Sequence, residues 1–150
     1  MMSTHHYVRP QRFDVLVNRI VGRLTRHGVH LAGAELLTVR GRRSGAPQTI
    51  PVNPLRSSGG EYLVAVRGET QWVRNARAAG TAELRRGRRA RTVTLTEVDV
   101  TRRPEIIAGY LARRGWEVGR FLPDGLTAGA SAEQIAPFAH LLPVFAVRAS

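Results

Sequence analysis

The chain has 150 residues, 43% hydrophobic and 23% charged, which suits one globular domain over 1–150 and excludes a disordered chain. The formal net charge is +12, the pI is about 11.7, and all 23 basic residues are arginine, so the field attracts anions: phosphates, carboxylates, nucleic acid or an anionic membrane surface. Cysteine is absent, which excludes disulfides, a thiolate nucleophile and a cysteine-ligated metal, and no apolar run approaches the roughly 18 residues of a membrane span.

Residues 1–9 read as a loose arm with nothing of a signal peptide in it, so the expected location is cytoplasmic. Residues 10–27 read as an amphipathic helix. Phe13, Leu16, Val17, Ile20, Val21 and Leu24 form its stripe, Arg12, Arg19, Arg23 and Arg26 lie mostly off it, and Gly28 ends it. Such a helix packs on a core, or lies at the inner face of an anionic membrane as a peripheral contact.

A strand follows at 35–40, then the turn Gly41-Arg42-Arg43-Ser44-Gly45. A second strand runs over 48–56, and Pro51 and Pro54 mark it as an edge, a bend or an early end. A hairpin at 57–60 leads to a third strand at 61–66. Thr70 caps a short helix that Gly80 ends. Residues 81–98 form a second hairpin, in which Val93 and Leu95 alternate with Thr92, Thr94 and Thr96. Thr101 caps a further helix with Pro104 in its first turn, an apolar stripe of Ile106, Ile107, Tyr110 and Leu111, and Gly115 at its end. Residues 121–137 are loop-like with one helical turn, and 141–147 form the last strand. The sum is α+β: about six mainly antiparallel strands, an N-terminal helix and two further helices. Hairpin links in place of βαβ repeats point to a closed or half-open antiparallel barrel with helices at its rim.

The chemistry is sparse. No phosphate loop or dinucleotide fingerprint occurs, and Ser44 falls one place late for a nucleophile elbow. His27, His30 and His140 have no companions that would make a metal site, and the eleven acids are dispersed. No catalytic residue is assigned. Such a protein binds a ligand or leaves the chemistry to a cofactor. Three segments remain: the glycine-arginine turn, whose backbone and guanidinium donors suit an anion; Val66-Arg67-Gly68-Glu69-Thr70, which enters a helix N-terminus; and Trp72 with Asn75, which suit a flat heterocycle.

Those segments carry a resemblance. The run Leu36 to Val52, with Arg40-Gly41-Arg42-Arg43-Ser44-Gly45 at its centre, is followed by Tyr62-Leu63-Val64-Ala65 and by Trp72-Val73-Arg74-Asn75-Ala76-Arg77-Ala78. Together they resemble the deazaflavin-dependent nitroreductase and quinone reductase family, actinobacterial split β-barrel proteins that use reduced coenzyme F-420. The resemblance implies an oxidoreductase that transfers hydride from F-420 to a hydrophobic acceptor, quinone-like or a nitro compound. It assigns the cofactor phosphate and oligoglutamate tail to Arg40, Arg42, Arg43, Ser44 and Gly45. The ring and phosphate fall to Pro51, Ala65, Val66, Arg67, Gly68, Trp72 and Asn75. FMN is the alternative cofactor, and flavin or haem binding on a similar barrel stays open. A carrier that binds the deazaflavin without turnover is the alternative function. A nucleic-acid binder, motivated by Arg85, Arg86, Arg88, Arg89 and Arg91, ranks below both because no aromatics interleave with those arginines; nucleic acid is not an expected partner. A monomer and a homodimer are both compatible. The C-terminal third departs from the pattern: Tyr110 is its one tyrosine.

Overall fold

The computed structural model describes residues 34–150; the arm at 1–9 and the helix expected at 10–27 lie outside the described residues. Seven strands form one sheet: β1 (Glu35–Arg40), β2 (Pro47–Val52), β3 (Leu55–Ser57), β4 (Gly60–Val64), β5 (Thr81–Arg86), β6 (Arg89–Glu97) and β7 (Val144–Ala149). Their order is β2-β1-β5-β6-β7-β4-β3, and every pairing is antiparallel. Among the described residues three α-helices accompany it, α1 (Gln71–Ala79), α2 (Arg103–Val118) and the single turn α3 (Ala132–Ile135).

The expected strand over 48–56 is two strands, and the prolines explain the division. β2 is one edge of the sheet, where Pro51, lacking an N–H, can sit opposite Leu36. Asn53 and Pro54 then carry the chain to β3, the other edge. Laid flat, seven strands would separate those edges by about 29 Å at ~4.8 Å per strand. The three residue steps from Val52 to Leu55 reach only about 11 Å. The sheet therefore curls until its edges meet, giving the split barrel.

An ionic cluster confirms the curl. The Glu35 carboxylate, 1% exposed, bonds Arg56 at 2.6 Å and lies 3.6 Å from Arg91; Glu61 bonds the same two arginines at 2.9 and 2.6 Å. Glu35 on β1 and Arg56 on β3 come from strands five places apart in the sheet order, which a flat sheet would hold apart.

Period-2 alternation feeds two apolar cores through one sheet. Leu63, Phe145 and Val147 point into the barrel with Leu37, Leu84, Val93 and Leu95, under Val73 and Ala76 of α1. Tyr62 and Val144 point the other way, onto Ile107 and Leu111 of α2 and Ile135 and Leu142 beyond it.

The helix ends differ from expectation in two places. Asp99, not Thr101, caps the turn before α2, its carboxylate accepting from the Thr101 N–H at 3.1 Å. Gly115 lies inside α2, which runs on to Val118, because its role is packing: a Cβ there would stand 2.9 Å from that of Ala128. The 121–137 region is more helical than expected. Ser131 and Gln134 form a capping box for α3, and a 3-10 segment continues from Ala136 to Leu141. The last strand accordingly begins at Val144. Among the described residues no helix is long and apolar enough to cross a membrane.

Candidate functional site

The donor turn closes on itself. Gly41 N–H donates to Ala46 O at 2.7 Å, Gly45 N–H to Gly41 O at 2.9 Å, and Ala46 N–H to Ser44 Oγ at 3.1 Å. Gly45 sits at φ 74°, where a side chain would be strained. The turn is then pinned to α1. Asn75 Oδ1 accepts from Arg42 N–H at 3.1 Å and from Arg42 Nη1 at 2.8 Å, while its own amide donates to Gln48 Oε1 at 2.8 Å. Gln71 Oε1 accepts from Arg42 Nη1 at 3.0 Å. Asn75, 6% exposed, thus has both ends of its amide engaged and positions the turn. Arg40 and Arg43 are exposed and form no ion pair among the described residues.

At the other end of β2 lies a slot of about 180 Å³. Ile50, Pro51, Val52 and Asn53 form one wall, Leu63 to Arg67 another, and Trp72, Tyr110, Val118 and Phe121 complete it. It opens at the seam between the two cores. Trp72 is braced by Phe145, with ring centroids 5.8 Å apart and planes tilted by 51°. The Arg67 guanidinium lies 3.9 Å from the Phe121 ring centre and Arg120 lies 4.6 Å from it, which sets cationic charge at the rim. The loop into α1 is tight: Gly68 N–H donates to Ala65 O at 3.1 Å and Thr70 N–H to Gly68 O at 2.8 Å.

Among the described residues, no carboxylate lines the slot. The nearest acid in sequence, Glu69, is held by Arg77 at 3.0 Å, and that hydrogen bond keeps its carboxyl below the ordinary 4.5. Arg77 also grips Glu97 at 2.8 Å, and these two carboxylates raise its own pKa. Buried Arg103 donates to Val98 O, Ala139 O and Glu97 at 2.8, 3.1 and 3.2 Å, and burial lowers its pKa. The region therefore offers binding surfaces and fixed charge.

Two buried oxygens are left over. Asn53 Oδ1, in the slot wall, and Thr70 Oγ1, at the N-terminus of α1, have no hydrogen-bond partner among the described residues. Thr70 holds the cap position but makes no side-chain cap bond. Buried polar atoms without partners are rare in finished folds and mark places that a ligand or solvent completes.

The twelve expected site residues thus fall into two groups joined by β2 and α1. Pro51, Ala65, Val66, Arg67 and Trp72 line the slot; Arg40, Arg42, Arg43, Ser44 and Gly45 form the turn; Gly68 shapes the loop and Asn75 couples turn to helix. Sequence reasoning missed Asn53, Gln48, Gln71, Tyr110, Val118 and Phe121. Gln48 and Gln71 carry no pattern of their own, and Tyr110 reads as one more residue of an apolar stripe.

The sequence profile described as F420H(2)-dependent quinone reductase matches residues 12–113. The chain belongs to that family. Its members are F-420-dependent by description, and the FMN alternative finds no support. No curated protein matches. Among solved structures, one described as an F420-H2 dependent reductase shares 22% identity at a TM-score of 0.54, covering 81% of this chain and 100% of that one. A domain-swapped dimer aligns at 0.56 with 19% identity, over 92% of this chain and 100% of that one. A protein of unknown function from Agrobacterium tumefaciens aligns at 0.52 with 18% identity, over 85% and 52%. At these identities the likeness is one of fold.

Proposed function

We propose that the protein binds F-420 with its ring in the slot and its anionic tail on the arginine turn, and serves hydride transfer to a hydrophobic, quinone-like acceptor. The observation that carries this is the pairing of an apolar slot, with a cation at its rim and in its wall the buried Asn53 Oδ1, unpartnered among the described residues, with a pre-formed turn whose Arg40 and Arg43 form no ion pair among the described residues. A slot of about 180 Å³ is below the roughly 300–1,000 Å³ of complete ligand sites, so it fits a planar head whose tail runs outside.

The residues fit the group. Pro51, Ala65, Val66 and Trp72 would contact a flat apolar face, Asn53 Oδ1 would accept from an N–H on a heterocycle edge, and Thr70 with the free N–H groups of α1 would meet a phosphate. Arg40 and Arg43 would pair with tail carboxylates. When bound, reduced F-420 supplies the hydride. The chain orients the two reactants and excludes water with Trp72, Tyr110, Val118 and Phe121; no acid–base residue is required of it. A homodimer is the assembly we propose, since a matched fold is described as one.

The test is a fluorescence titration with oxidised F-420, FMN in parallel, then oxidation of reduced F-420 with menadione as acceptor. Saturable F-420 binding weakened in an Arg42→Ala/Arg43→Ala variant, with menadione-dependent turnover, is expected. Binding without turnover across an acceptor panel would make it a carrier; a preference for FMN would end the proposal.

A further inference from the structure

The arginine run at 85–91 lies outside both the slot and the turn. It forms the tip of the β5–β6 hairpin, where Arg86 and Arg89 are register partners and Arg88 stands in the turn between them. Like charges directly opposite on adjacent strands are destabilising. The acids of these strands and of the adjoining cluster are engaged elsewhere: Glu83 with Arg85 at 3.7 Å, Glu97 with Arg77 at 2.8 Å, and Glu35 and Glu61 with Arg56 and Arg91. Arg86, Arg88 and Arg89 are exposed and form no ion pair among the described residues. Three guanidiniums held together against their own repulsion suit an anionic surface supplied from outside.

A second exposed feature is tied to this one. Trp116, near the C-terminus of α2, is 80% exposed, and Ala112 and Arg113, a turn before it on the same face, are exposed as well. A run of bonds leads from the hairpin to this face. Arg91, just behind the tip, bonds Glu61 at 2.6 Å; Glu61 bonds Arg56 at 2.9 Å; and the Arg56 carbonyl accepts from Arg113 Nη1 at 2.9 Å.

The chemistry of the two features favours lipid over nucleic acid. Nucleic-acid strands are held by cations interleaved with aromatic faces, and residues 81–97 contain no Phe, Tyr or Trp. A headgroup layer is met by clustered arginines together with an amphipathic aromatic, which is what the hairpin and Trp116 supply.

We propose that the β5–β6 tip and the C-terminal end of α2 dock the protein on a membrane rich in anionic phospholipid. Arg86, Arg88 and Arg89 pair with headgroup phosphates, and the Trp116 indole enters the interface. Trp116 lies two residues before Val118, which lines the slot, so docking brings the site close to lipid, where a hydrophobic acceptor dissolves. That last consequence rests on the proposed reductase function; the docking itself does not, and its test needs no F-420.

The test is co-sedimentation of the full chain with vesicles of phosphatidylcholine alone or of equimolar phosphatidylcholine and phosphatidylglycerol. Binding to the anionic vesicles only is expected, weakening as salt rises. Each arginine is worth about fivefold in partition at such a surface. Arg86→Gln/Arg88→Gln/Arg89→Gln should therefore weaken binding by roughly 100-fold, with an unchanged or higher melting temperature because a repulsion has gone. Trp116→Ala should weaken it by about tenfold. Tryptophan emission should move to shorter wavelength when the wild-type protein binds and stay in place in Trp116→Phe, since Trp72 is packed against the barrel core. A membrane contact made elsewhere on the chain survives all these substitutions, so undiminished sedimentation of the triple variant overturns the proposal. Failure of the wild-type protein to sediment overturns it as well. Tighter binding to a single-stranded oligonucleotide than to the vesicles at matched salt, lost in the triple variant, would assign the hairpin to nucleic acid instead.

Discussion

The two ends of β1 use arginine in opposite ways. At its start, Arg56 and Arg91 are paired with Glu35 and Glu61 and help close the barrel. At its end, Arg40 and Arg43 are exposed at a hydrogen-bonded turn and form no ion pair among the described residues. Near α1 the first pattern returns, with Arg77 and Arg103 shared among Glu69 and Glu97. With 23 arginines against 11 acids, not every arginine can have a carboxylate of its own, and position decides which become scaffold and which face a ligand. A guanidinium is structural where the chain brings a carboxylate or carbonyl to it, and a receptor for outside anions where it does not.

Substitutions should separate the two kinds. Removing a buried, fully bonded guanidinium has the largest effect. Arg103→Met removes the guanidinium donor from Val98 O and from Ala139 O, which keeps only its bond from Leu142 N–H, and is expected to lower unfolding free energy by about 3 kcal/mol, with F-420 affinity unchanged in the folded fraction. Urea denaturation measures it, and a loss below about 1 kcal/mol would refute the structural role. Asn75→Ala comes next and touches both properties. It strands Gln48 and Arg42, costing about 2 kcal/mol, and releases the turn, so affinity falls as well.

Arg43→Ala is the reverse case: about tenfold weaker F-420 binding by titration, with an unchanged melting temperature. Loss of stability instead would mean that the turn is scaffold. The smallest effect is in acid. Glu69 has a folded pKa below its ordinary value, so its contribution is present above about pH 4.5 and is lost as pH falls. Arg77→Gln should flatten the fall in stability between about pH 5 and 3, read by thermal melts across that range.

Much of the architecture was legible before any coordinates. The alternation in β6, the hairpin turns and the stop at Gly80 follow from local rules, since side-chain period and φ preference act within a few residues. Pro51 and Pro54 announced an edge or a break but could not say that the break carries the chain from one edge of the sheet to the other. Asn75 illustrates the limit in the site. Its residue type and spacing suggested contact with a ligand, yet its partners, Arg42 and Gln48, lie 33 and 27 residues away. Gly115 looked like a stop because the contact that explains it, Ala128, is across a loop.

The sequence by itself determined the class of fold, the excess of positive charge and the two glycine-bounded segments that make the turn and the loop into α1. These depend on residue type and short spacing. Only the tertiary structure decided which arginines are paired and that the slot and turn are joined by one strand and one helix. Those facts depend on which distant residues the closing barrel brings within hydrogen-bonding distance, and spacing along the chain does not encode that.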